Sequence, residues 1–313
     1  MIELRNARNG ILTPVTIIVR PVRKAWAALA LASMLMACGN PAERALTSNP
    51  PAFDRSVVPS SSRLALVLSS GGPRGFAHIG VLKVLHDAGI RPDLIVGASS
   101  GALVGVLYAS GMAPKDLETR ALALGGADVF DYDIVRRRVS GSALQGWVND
   151  QVAGRPLERM TIPVAVVATH EVDGQPVAFT RGDAGAAVRA SSASPGSFAP
   201  VEIAERVYID GDVGAPLPIA IARSLGARHV IAIDVAQNVD RAPAPPGAPP
   251  DWTAEAVARR VKILRESGGA DVIIAPPLPY ITGFSTDYRK MAIATGEAAA
   301  RAALPQVRAL SVQ

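Results

Sequence analysis

The chain has 313 residues, of which 49% are hydrophobic and 19% charged, and its formal net charge is +5. A chain of this length and apolar content can bury a sizeable core, which excludes wholesale disorder. The single cysteine, Cys38, excludes an internal disulfide and a cysteine-rich metal cluster, and the four histidines do not form the H-E-x-x-H pattern of zinc enzymes.

Most of the positive charge lies at the N-terminus, because residues 1–37 contain five basic residues and one acidic residue. The rest of the chain is close to neutral. It therefore gives no electrostatic reason to expect nucleic acid as a partner.

Residues 1–37 combine a basic start with a short apolar run, as secretory signal peptides do. The run Ala25–Ala37 has 13 residues, too few for a helix that crosses a bilayer, which needs about 20. It ends in Leu35-Met36-Ala37-Cys38, which resembles the lipobox of bacterial lipoproteins. That resemblance implies cleavage before Cys38 and acylation of its thiol, with Met36 a mild departure from the usual pattern.

This leader makes the bacterial cell envelope the expected location. Gly39 follows the cysteine, and the absence of Asp there is compatible with a lipid anchor in the outer membrane that faces the periplasm. Residues 38–62 are predicted to be the lipidated cysteine and a flexible tether containing Pro and Ser. The alternative is a lone cysteine in an ordinary hydrophobic segment. Residues 1–18 precede the leader, and we expect translation to begin nearer Val19.

Beyond the tether, short β-rich runs alternate with helical stretches. Strands are predicted at Leu64–Leu68, Asp93–Val96, Val164–Ala168, Val177–Thr180, Val207–Ile209, Val230–Val235 and Val272–Ile274. Helices are predicted at Phe76–Ala88, Ser100–Tyr108, Pro114–Leu124, Ala143–Val152, Ala184–Ala190, Pro218–Leu225, Ala254–Glu266 and Tyr288–Ala303. This alternation predicts one α/β domain over residues 63–305, with a mostly parallel sheet covered on both faces. The Pro-rich stretch Arg241–Pro250 is predicted to be an exposed loop, and residues 306–313 a C-terminal tail.

The first predicted strand leads into a glycine-rich loop, Gly71-Gly72-Pro73-Arg74-Gly75. Because this loop opens a helix, its backbone N–H groups can bind an anion. A cofactor phosphate is disfavoured, since the loop does not fit G-x-G-x-x-G and no G-x-x-x-x-G-K-[ST] occurs. The other candidate is the oxyanion of a tetrahedral acyl intermediate, which the positive charge of Arg74 can support.

The second predicted strand leads into Gly97-Ala98-Ser99-Ser100-Gly101, which fits G-x-S-x-G. A strand enters this motif and a helix leaves it, which is the arrangement of a nucleophile elbow. Gly97 and Gly101 remove Cβ atoms that would collide in so tight a turn, and the helix N-terminus favours negative charge near Ser99. The alternative is a serine that caps an ordinary helix.

The third motif is Asp210-Gly211-Asp212, directly after the short predicted strand Val207–Ile209. A carboxylate at a strand end lies where sites occur in open α/β sheets. The alternative is a simple Asp-Gly turn.

Together the three motifs resemble the patatin-like phospholipase family, which carries G-G-x-R-G, then G-x-S-x-G, then D-G-[GA]. Their order and spacing agree, and Ala187–Phe198 looks like the helix and loop that precede the aspartate in that family. The resemblance covers about Arg63–Pro305. It implies a patatin-like three-layer α/β/α fold with a mostly parallel central sheet.

The resemblance also implies a serine acyl hydrolase of the phospholipase A or lysophospholipase type, acting without a metal or other cofactor. Ser99 would be the nucleophile, and Asp210 would accept its proton and later activate water. The loop Gly71–Gly75 would form the oxyanion hole, and backbone N–H groups around Gly71, Gly72 and Arg74 would bind the oxyanion. The expected partners are a phospholipid or other acyl ester and a membrane reached through Cys38. Asp212 departs from the Gly or Ala of the family, and we expect a tolerated surface substitution.

Other assignments remain open. A general carboxylesterase or thioesterase would share the fold and the acyl chemistry, and a non-catalytic lipid-binding lipoprotein would share the fold alone. A Ser–Asp–His triad through His229 is formally available, although His229 starts a predicted central strand. The remaining histidines are expected to be structural or surface groups. The run Arg136-Arg137-Arg138 is expected to be a solvated face, with contact to anionic head groups as the alternative.

Overall fold

The computed structural model describes residues 64–236, 252–279 and 283–310. The predicted signal peptide, Cys38, the tether and the Pro-rich loop Arg241–Pro250 lie outside the described residues. None of the helices in the described ranges has both the length and the apolar character needed to span a bilayer.

Strands alternate with helices along the chain, as the sequence predicts. The strands are β1 (Leu64–Leu68), β2 (Leu94–Ala98), β3 (Tyr132–Asp133), β4 (Arg138–Val139), β5 (Val164–His170), β6 (Pro176–Phe179), β7 (Val201–Ile203), β8 (Arg206–Ile209), β9 (His229–Ile233) and β10 (Val272–Ile274). The helices are α1 (Phe76–Asp87), α2 (Ser100–Ala109), α3 (Pro114–Ala123), α4 (Ser142–Gln151), α5 (Ala184–Ser191), α6 (Gly211–Gly214), α7 (Ile219–Ser224), α8 (Trp252–Ser267) and α9 (Thr286–Leu310).

The main sheet is mixed, with mostly parallel strands. Its strand order is β10-β9-β1-β2-β5-β8-β7, and β6 also pairs with β5. The five strands from β10 to β5 are parallel to one another, whereas β6 and β8 run antiparallel to β5, and β7 antiparallel to β8. Strands β3 and β4 form a separate antiparallel hairpin.

Both faces of the sheet are buried under helices, which explains why its strands are continuous apolar runs rather than alternating ones. Because side chains alternate along a strand, Leu66 and Leu68 of β1 join a core that includes residues of α1, α2 and α9. Ala65 and Val67 face the opposite way and join a core with α7 and with Ile263 of α8. The result is the expected three-layer α/β/α arrangement.

The C-terminal helix is longer than the sequence predicts. Helix α9 continues past the expected end near Ala303 and includes Pro305, so residues 306–310 of the predicted C-terminal tail are part of this helix. Proline in a helix removes one backbone hydrogen bond and favours termination. Here Val307 is 1% exposed, and its burial in the core offsets that loss.

Candidate active site

Ser99 occupies a strained turn between β2 and α2. Its backbone angles are φ 53° and ψ −122°, a sparsely populated conformation with positive φ that costs about 1–3 kcal/mol for a residue other than glycine. The two motif glycines make this turn possible. A Cβ on Gly97 would lie 2.4 Å from the carbonyl oxygen of Gly101, and one on Gly101 would lie 2.3 Å from that of Leu68. The Ser99 N–H donates to Ser191 Oγ at 2.8 Å, which further fixes the turn.

Sheet pairing brings Asp210 to the same level as Ser99. Strand β8 pairs Ile209 with Thr169 of β5, and Val167 of β5 pairs with Ala98 of β2. Since β8 is antiparallel to β5, the chain after Ile209 turns back toward the level of Ala98. The sequence correctly predicted that Asp210 lies at the end of a strand. That strand, β8, is antiparallel to the central strands of the sheet rather than parallel to them.

The side chains of Ser99 and Asp210 are in direct contact. Ser99 Oγ donates to Asp210 Oδ2 at 3.0 Å. The other carboxylate oxygen, Oδ1, accepts the backbone N–H of Asp212 at 2.9 Å. Thr169 Oγ1 donates to the carbonyl oxygen of Asp210 at 2.7 Å. These bonds orient the carboxylate so that one oxygen faces the serine hydroxyl.

The Asp210 carboxylate is buried, with 5% of the residue exposed. Burial, followed by the negative charge of Asp212, raises the pKa of Asp210 to about 7. The hydrogen bonds from the Asp212 N–H and from Ser99, and the positive charge of Arg259, act in the opposite direction. A carboxylate with so high a pKa is a stronger base than an ordinary aspartate.

The glycine-rich loop forms a turn of 3-10 helix, Gly72–Gly75, directly before α1. Pro73 belongs to the predicted oxyanion loop, but it has no N–H and cannot itself donate to an oxyanion. The Arg74 N–H donates to the Gly71 carbonyl oxygen at 3.2 Å and is already used. The N–H groups of Gly71 and Gly72 lie at the N-terminal end of this turn, where backbone donors lack partners within the helix.

This loop is held against the elbow by close backbone packing. A Cβ on Gly75 would lie 2.5 Å from Cβ of Ser100, the residue after the predicted nucleophile, and one on Gly71 would lie 2.8 Å from Cγ2 of Val235. Arg74 Nε donates to the Val235 carbonyl oxygen at 3.1 Å. Arg74 therefore anchors the loop to the chain that follows β9.

Asp212 is not the surface substitution that the sequence suggested. Its side chain is 19% exposed and accepts hydrogen bonds from the Ser70 hydroxyl and, at 2.5 Å, from Arg259 Nε. Ser70 directly precedes the glycine-rich loop, and Arg259 belongs to α8. Asp212 therefore links the turn after β8 to the glycine-rich loop through Ser70 and to α8 through its ion pair with Arg259.

Ser99 and Asp210 line a cavity of about 570 Å³ that extends between the helices of one layer. The deep wall is mainly apolar and includes Phe76, Ile79, Leu103, Leu107, Leu117 and Trp147. Phe130, Phe198 and the half-exposed Phe284 also line the cavity, and the Phe130 ring packs against the other two at 6.0 and 5.3 Å. Volume and lining suit a long apolar ligand.

His229 lies at the edge of the sheet where the parallel strands begin, whereas a triad with Ser99 would need a histidine at the edge where they end. It pairs with Leu64 at the start of β1, whereas Ser99 follows the end of β2. A strand of five residues separates these edges by roughly 16 Å. Of the other histidines, His78 is fully buried and bonded through Nε2 to the Ser69 carbonyl oxygen at 2.9 Å. His170 contacts Asp173 at 2.9 Å and is not among the cavity residues.

Three supporting residues carry no signal in the motifs. Ser191 accepts the Ser99 N–H and donates to the Val167 carbonyl oxygen at 2.5 Å. The sequence analysis named the segment Ala187–Phe198 that contains Ser191 but predicted no role for this residue. Thr169 and Arg259 have no sequence signal, because their roles depend on strand register and on the packing of α8. In the described ranges, no group of three or more His, Cys, Asp or Glu residues could hold a metal ion.

A strained serine at a strand-to-helix turn, bonded to a buried aspartate beside a glycine-rich loop, defines an α/β protein with the patatin fold. The family model described as patatin-like phospholipase matches residues 66–223. That is half of the chain, and the chain belongs to the patatin-like phospholipase family.

Curated relatives extend the likeness. An uncharacterized NTE family protein of Mycobacterium tuberculosis is 38% identical over 210 residues, which are 65% of this chain and 57% of that protein. Patatin-like phospholipase domain-containing protein 6 of Homo sapiens is 33% identical over 187 residues, which are 57% of this chain and 14% of that protein. The chain thus spans little more than half of the mycobacterial relative and a small part of the human one.

Two solved structures are similar at low sequence identity. VipD from Legionella pneumophila has a TM-score of 0.47 and 14% identity, over 78% of this chain and 67% of VipD. The type III effector protein ExoU has a TM-score of 0.45 and 15% identity, over 78% of this chain and 53% of ExoU.

Proposed function

We propose that the protein is a serine acyl hydrolase that cleaves lipid acyl esters, of the phospholipase A or lysophospholipase type. The observation that carries this proposal is the 3.0 Å contact between Ser99 Oγ and Asp210 Oδ2 at the wall of a mainly apolar cavity. Family membership and a human relative named for a patatin-like phospholipase domain support the same chemistry.

In the first half of the reaction, Ser99 Oγ attacks the ester carbonyl carbon while its proton moves to Asp210 Oδ2. The carbonyl oxygen becomes an oxyanion near the N–H groups of Gly71 and Gly72. Collapse of this intermediate breaks the bond to the alcohol oxygen, which takes the proton from Asp210. The products are the free alcohol and an acyl group bonded to Ser99.

In the second half, Asp210 removes a proton from water, and the resulting hydroxide attacks the acyl carbon. A second oxyanion forms and collapses, and Ser99 Oγ leaves with the proton held by Asp210. The fatty acid is released, and the pair returns to its starting state. Asp210 alone thus performs the proton transfers that a histidine performs in serine enzymes with triads.

A direct Ser–Asp pair needs special conditions, because an ordinary carboxylate is a weak base for a hydroxyl. Burial of Asp210 provides one condition, since it raises the pKa of the carboxyl to about 7. The N-terminus of α2 provides another, since its dipole favours negative charge that develops beside Ser99.

The cavity supports long acyl chains as the substrate class. Its depth is lined by Leu103, Leu107, Leu117 and Trp147, and these side chains come from three different helices. An acyl chain placed there would leave water for an apolar wall, which stabilises binding by about 0.8 kcal/mol for each buried methylene.

Product analysis on a panel of phospholipids and lysophospholipids tests the proposal. We expect release of fatty acid from long-chain lipid esters and no release by Ser99→Ala. Hydrolysis of short-chain esters alone would favour a general carboxylesterase. Absence of hydrolysis from every ester, with correctly folded protein, would favour a non-catalytic lipid-binding protein and overturn the assignment.

For the place of action we propose a lipid anchor at Cys38 in the bacterial envelope, on the grounds of the lipobox-like sequence that ends there. Mass spectrometry of the protein from membranes should show a diacylated or triacylated N-terminal cysteine. Cys38→Ser should abolish the lipid and release the protein into the soluble periplasmic fraction. Recovery of an unmodified Cys38 in a full-length chain would refute the anchor without affecting the hydrolase assignment.

A further inference from the structure

The hairpin of β3 and β4 has an unusually apolar tip. Ile134 is 82% exposed and Val135 is 92% exposed, and Tyr132 on the first strand is 59% exposed. Scattered exposed apolar side chains need no explanation, but two adjacent aliphatic residues at a projecting turn face water with little cover from the protein.

Around this tip the basic side chains are exposed to solvent, whereas the acidic side chain that pairs with them is more buried. The side chain of Arg136 is 71% exposed, whereas that of its partner Asp133, 3.1 Å away, is 25% exposed. Asp133 also accepts the N–H groups of Val135 and Arg136, each at 2.9 Å. Arg137 is exposed as well. The outermost part of the hairpin is therefore aliphatic and cationic.

The second acidic residue nearby is also directed inward. Asp131 accepts a hydrogen bond from the Ser140 hydroxyl. It also accepts the N–H groups of Gly141, Ser142 and Ala143 at 2.8–3.2 Å. It thereby anchors the start of α4. Its carboxylate fixes the base of the hairpin and does not neutralise the arginines at the tip.

The base of the hairpin is part of the cavity wall. Phe130, just before β3, and Val139, in β4, both line the cavity. Val139 also donates its N–H to the Ser197 carbonyl oxygen at 2.9 Å and accepts from the Ala199 N–H at 2.8 Å. The hairpin is thus tied to the segment that contains Phe198, another cavity residue.

We propose that the hairpin Tyr132–Val139 docks the protein on a lipid surface that carries anionic head groups. Ile134 and Val135 enter the interface, and Arg136 and Arg137 contact phosphate groups, which brings the cavity to the bilayer. This inference rests on the proposed lipid hydrolase function. Two aliphatic side chains cover far less than the roughly 800 Å² per partner of a stable protein interface, whereas they suffice for shallow insertion beside basic groups.

Vesicle sedimentation tests the docking surface. Vesicles of phosphatidylcholine alone are compared with vesicles that also contain phosphatidylglycerol. Full-length protein carries Ser99→Ala and Cys38→Ser throughout, so that neither hydrolysis nor an acyl chain contributes. The hairpin variants are Ile134→Ser/Val135→Ser and Arg136→Gln/Arg137→Gln. A matched apolar control is Val172→Ser, since Val172 is 84% exposed on another turn, and the charge control is Arg228→Gln, at the opposite edge of the sheet.

We expect tighter binding to the anionic vesicles, and a loss of about tenfold in affinity for each hairpin double variant. The two controls should bind as the parent does. Parental binding by both hairpin variants would overturn the proposal and indicate a protein partner for the tip. Equal weakening by Val172→Ser would also overturn it, because docking would not be specific to the hairpin.

A soluble short-chain ester, assayed with Ser99 restored, separates this inference from the hydrolase assignment. The hairpin variants should cleave it at the parental rate, because neither aliphatic side chain at the tip lines the cavity. If the parent itself fails to cleave any ester, the function fails while the vesicle result still decides docking.

Discussion

Asp210 combines two properties that usually exclude each other, since it is buried and, in the proposed mechanism, it must ionise to act as a base. Its pKa is raised to about 7, first by burial and second by the nearby charge of Asp212. Around neutral pH the carboxyl is therefore divided between its two protonation states. The base is available only in the ionised fraction, so activity should depend on pH in a range where ordinary aspartates show none.

We predict that kcat/KM for a soluble ester rises with pH along a limb centred near pH 7. The variant Asp212→Asn removes a negative charge that raises the pKa of Asp210, and its limb should move to lower pH. Steady-state rates between pH 5 and pH 9 measure both profiles. A limb near pH 4 in the parent, or an unshifted limb in Asp212→Asn, would show that another group limits the rate.

Asp210 should also lower the stability of the protein at the pH where it works. In the unfolded chain the carboxyl has the ordinary aspartate pKa of 3.8, whereas in the folded protein its pKa is about 7. Below both values the carboxyl is protonated in both states and carries no penalty. As pH rises from about 4 to 7, the unfolded state loses its proton first, so the free energy of unfolding falls.

We predict that Asp210→Asn is inactive but melts at a higher temperature than the parent at pH 8, with a smaller difference at pH 5. An asparagine is isosteric, and its amide can donate to Ser99 Oγ while its oxygen still accepts from the Asp212 N–H. Calorimetry of parent and variant at the two pH values checks this. A variant that is equally destabilised at both would mean that the ionised carboxylate supports the fold.

Among the local elements, the turn between β2 and α2 depends on its glycines. Gly101 allows α2 to approach β1 so closely that an added Cβ would lie 2.3 Å from the Leu68 carbonyl oxygen and 2.6 Å from that of Ser69. These are backbone atoms, which cannot turn aside as a side chain can. The elbow therefore needs glycine at this position because of close packing, since Gly101 does not have a positive φ.

We predict that Gly101→Ala lowers the free energy of unfolding by about 1–3 kcal/mol or more and abolishes activity. Gly146 is the matched control, because it lies exposed inside α4 with nothing within 4 Å of its added Cβ. Gly146→Ala should keep activity and gain up to about 1 kcal/mol in stability, since alanine favours a helix. Urea denaturation of both variants distinguishes a local clash from a general effect of the substitution.

The sequence predicts the central strands well because each is an uninterrupted apolar run, as in Leu64–Leu68, that only a doubly covered sheet explains. It missed β7, with three residues, and the hairpin of β3 and β4, whose strands have two each. Such short pairs depend on what they contact, and β7 forms only because β8 is already in the sheet.

In the candidate site, too, some residues can be predicted from the sequence and others cannot. Ser99 and Asp210 could be predicted, because the chemistry restricts the residue types around them and leaves motifs. Thr169 and Arg259 could not, since any of several polar residues can occupy such positions once the fold is formed. For Asp212 the sequence led to a wrong expectation, because its role depends on an arginine 47 residues away in the chain.

Across the whole molecule, the site is assembled from segments that are distant in sequence and meet through strand order. The glycine-rich loop follows β1, Ser99 follows β2, and Asp210 follows β8, with β5 between β2 and β8 in the sheet. The helices α1 to α4 then enclose the apolar cavity on one face. In the proposed function, the sheet holds the reacting atoms and the helices select the acyl chain.

The most direct test is the rate at which a fluorophosphonate, which mimics the tetrahedral intermediate, reacts with the protein at pH 8. We expect modification of Ser99 alone, identified by mass spectrometry, and a rate about 10²–10⁴-fold lower in Asp210→Asn. Modification of Asp210→Asn at the parental rate, or of another residue in the parent, would contradict the transfer of the Ser99 proton to Asp210.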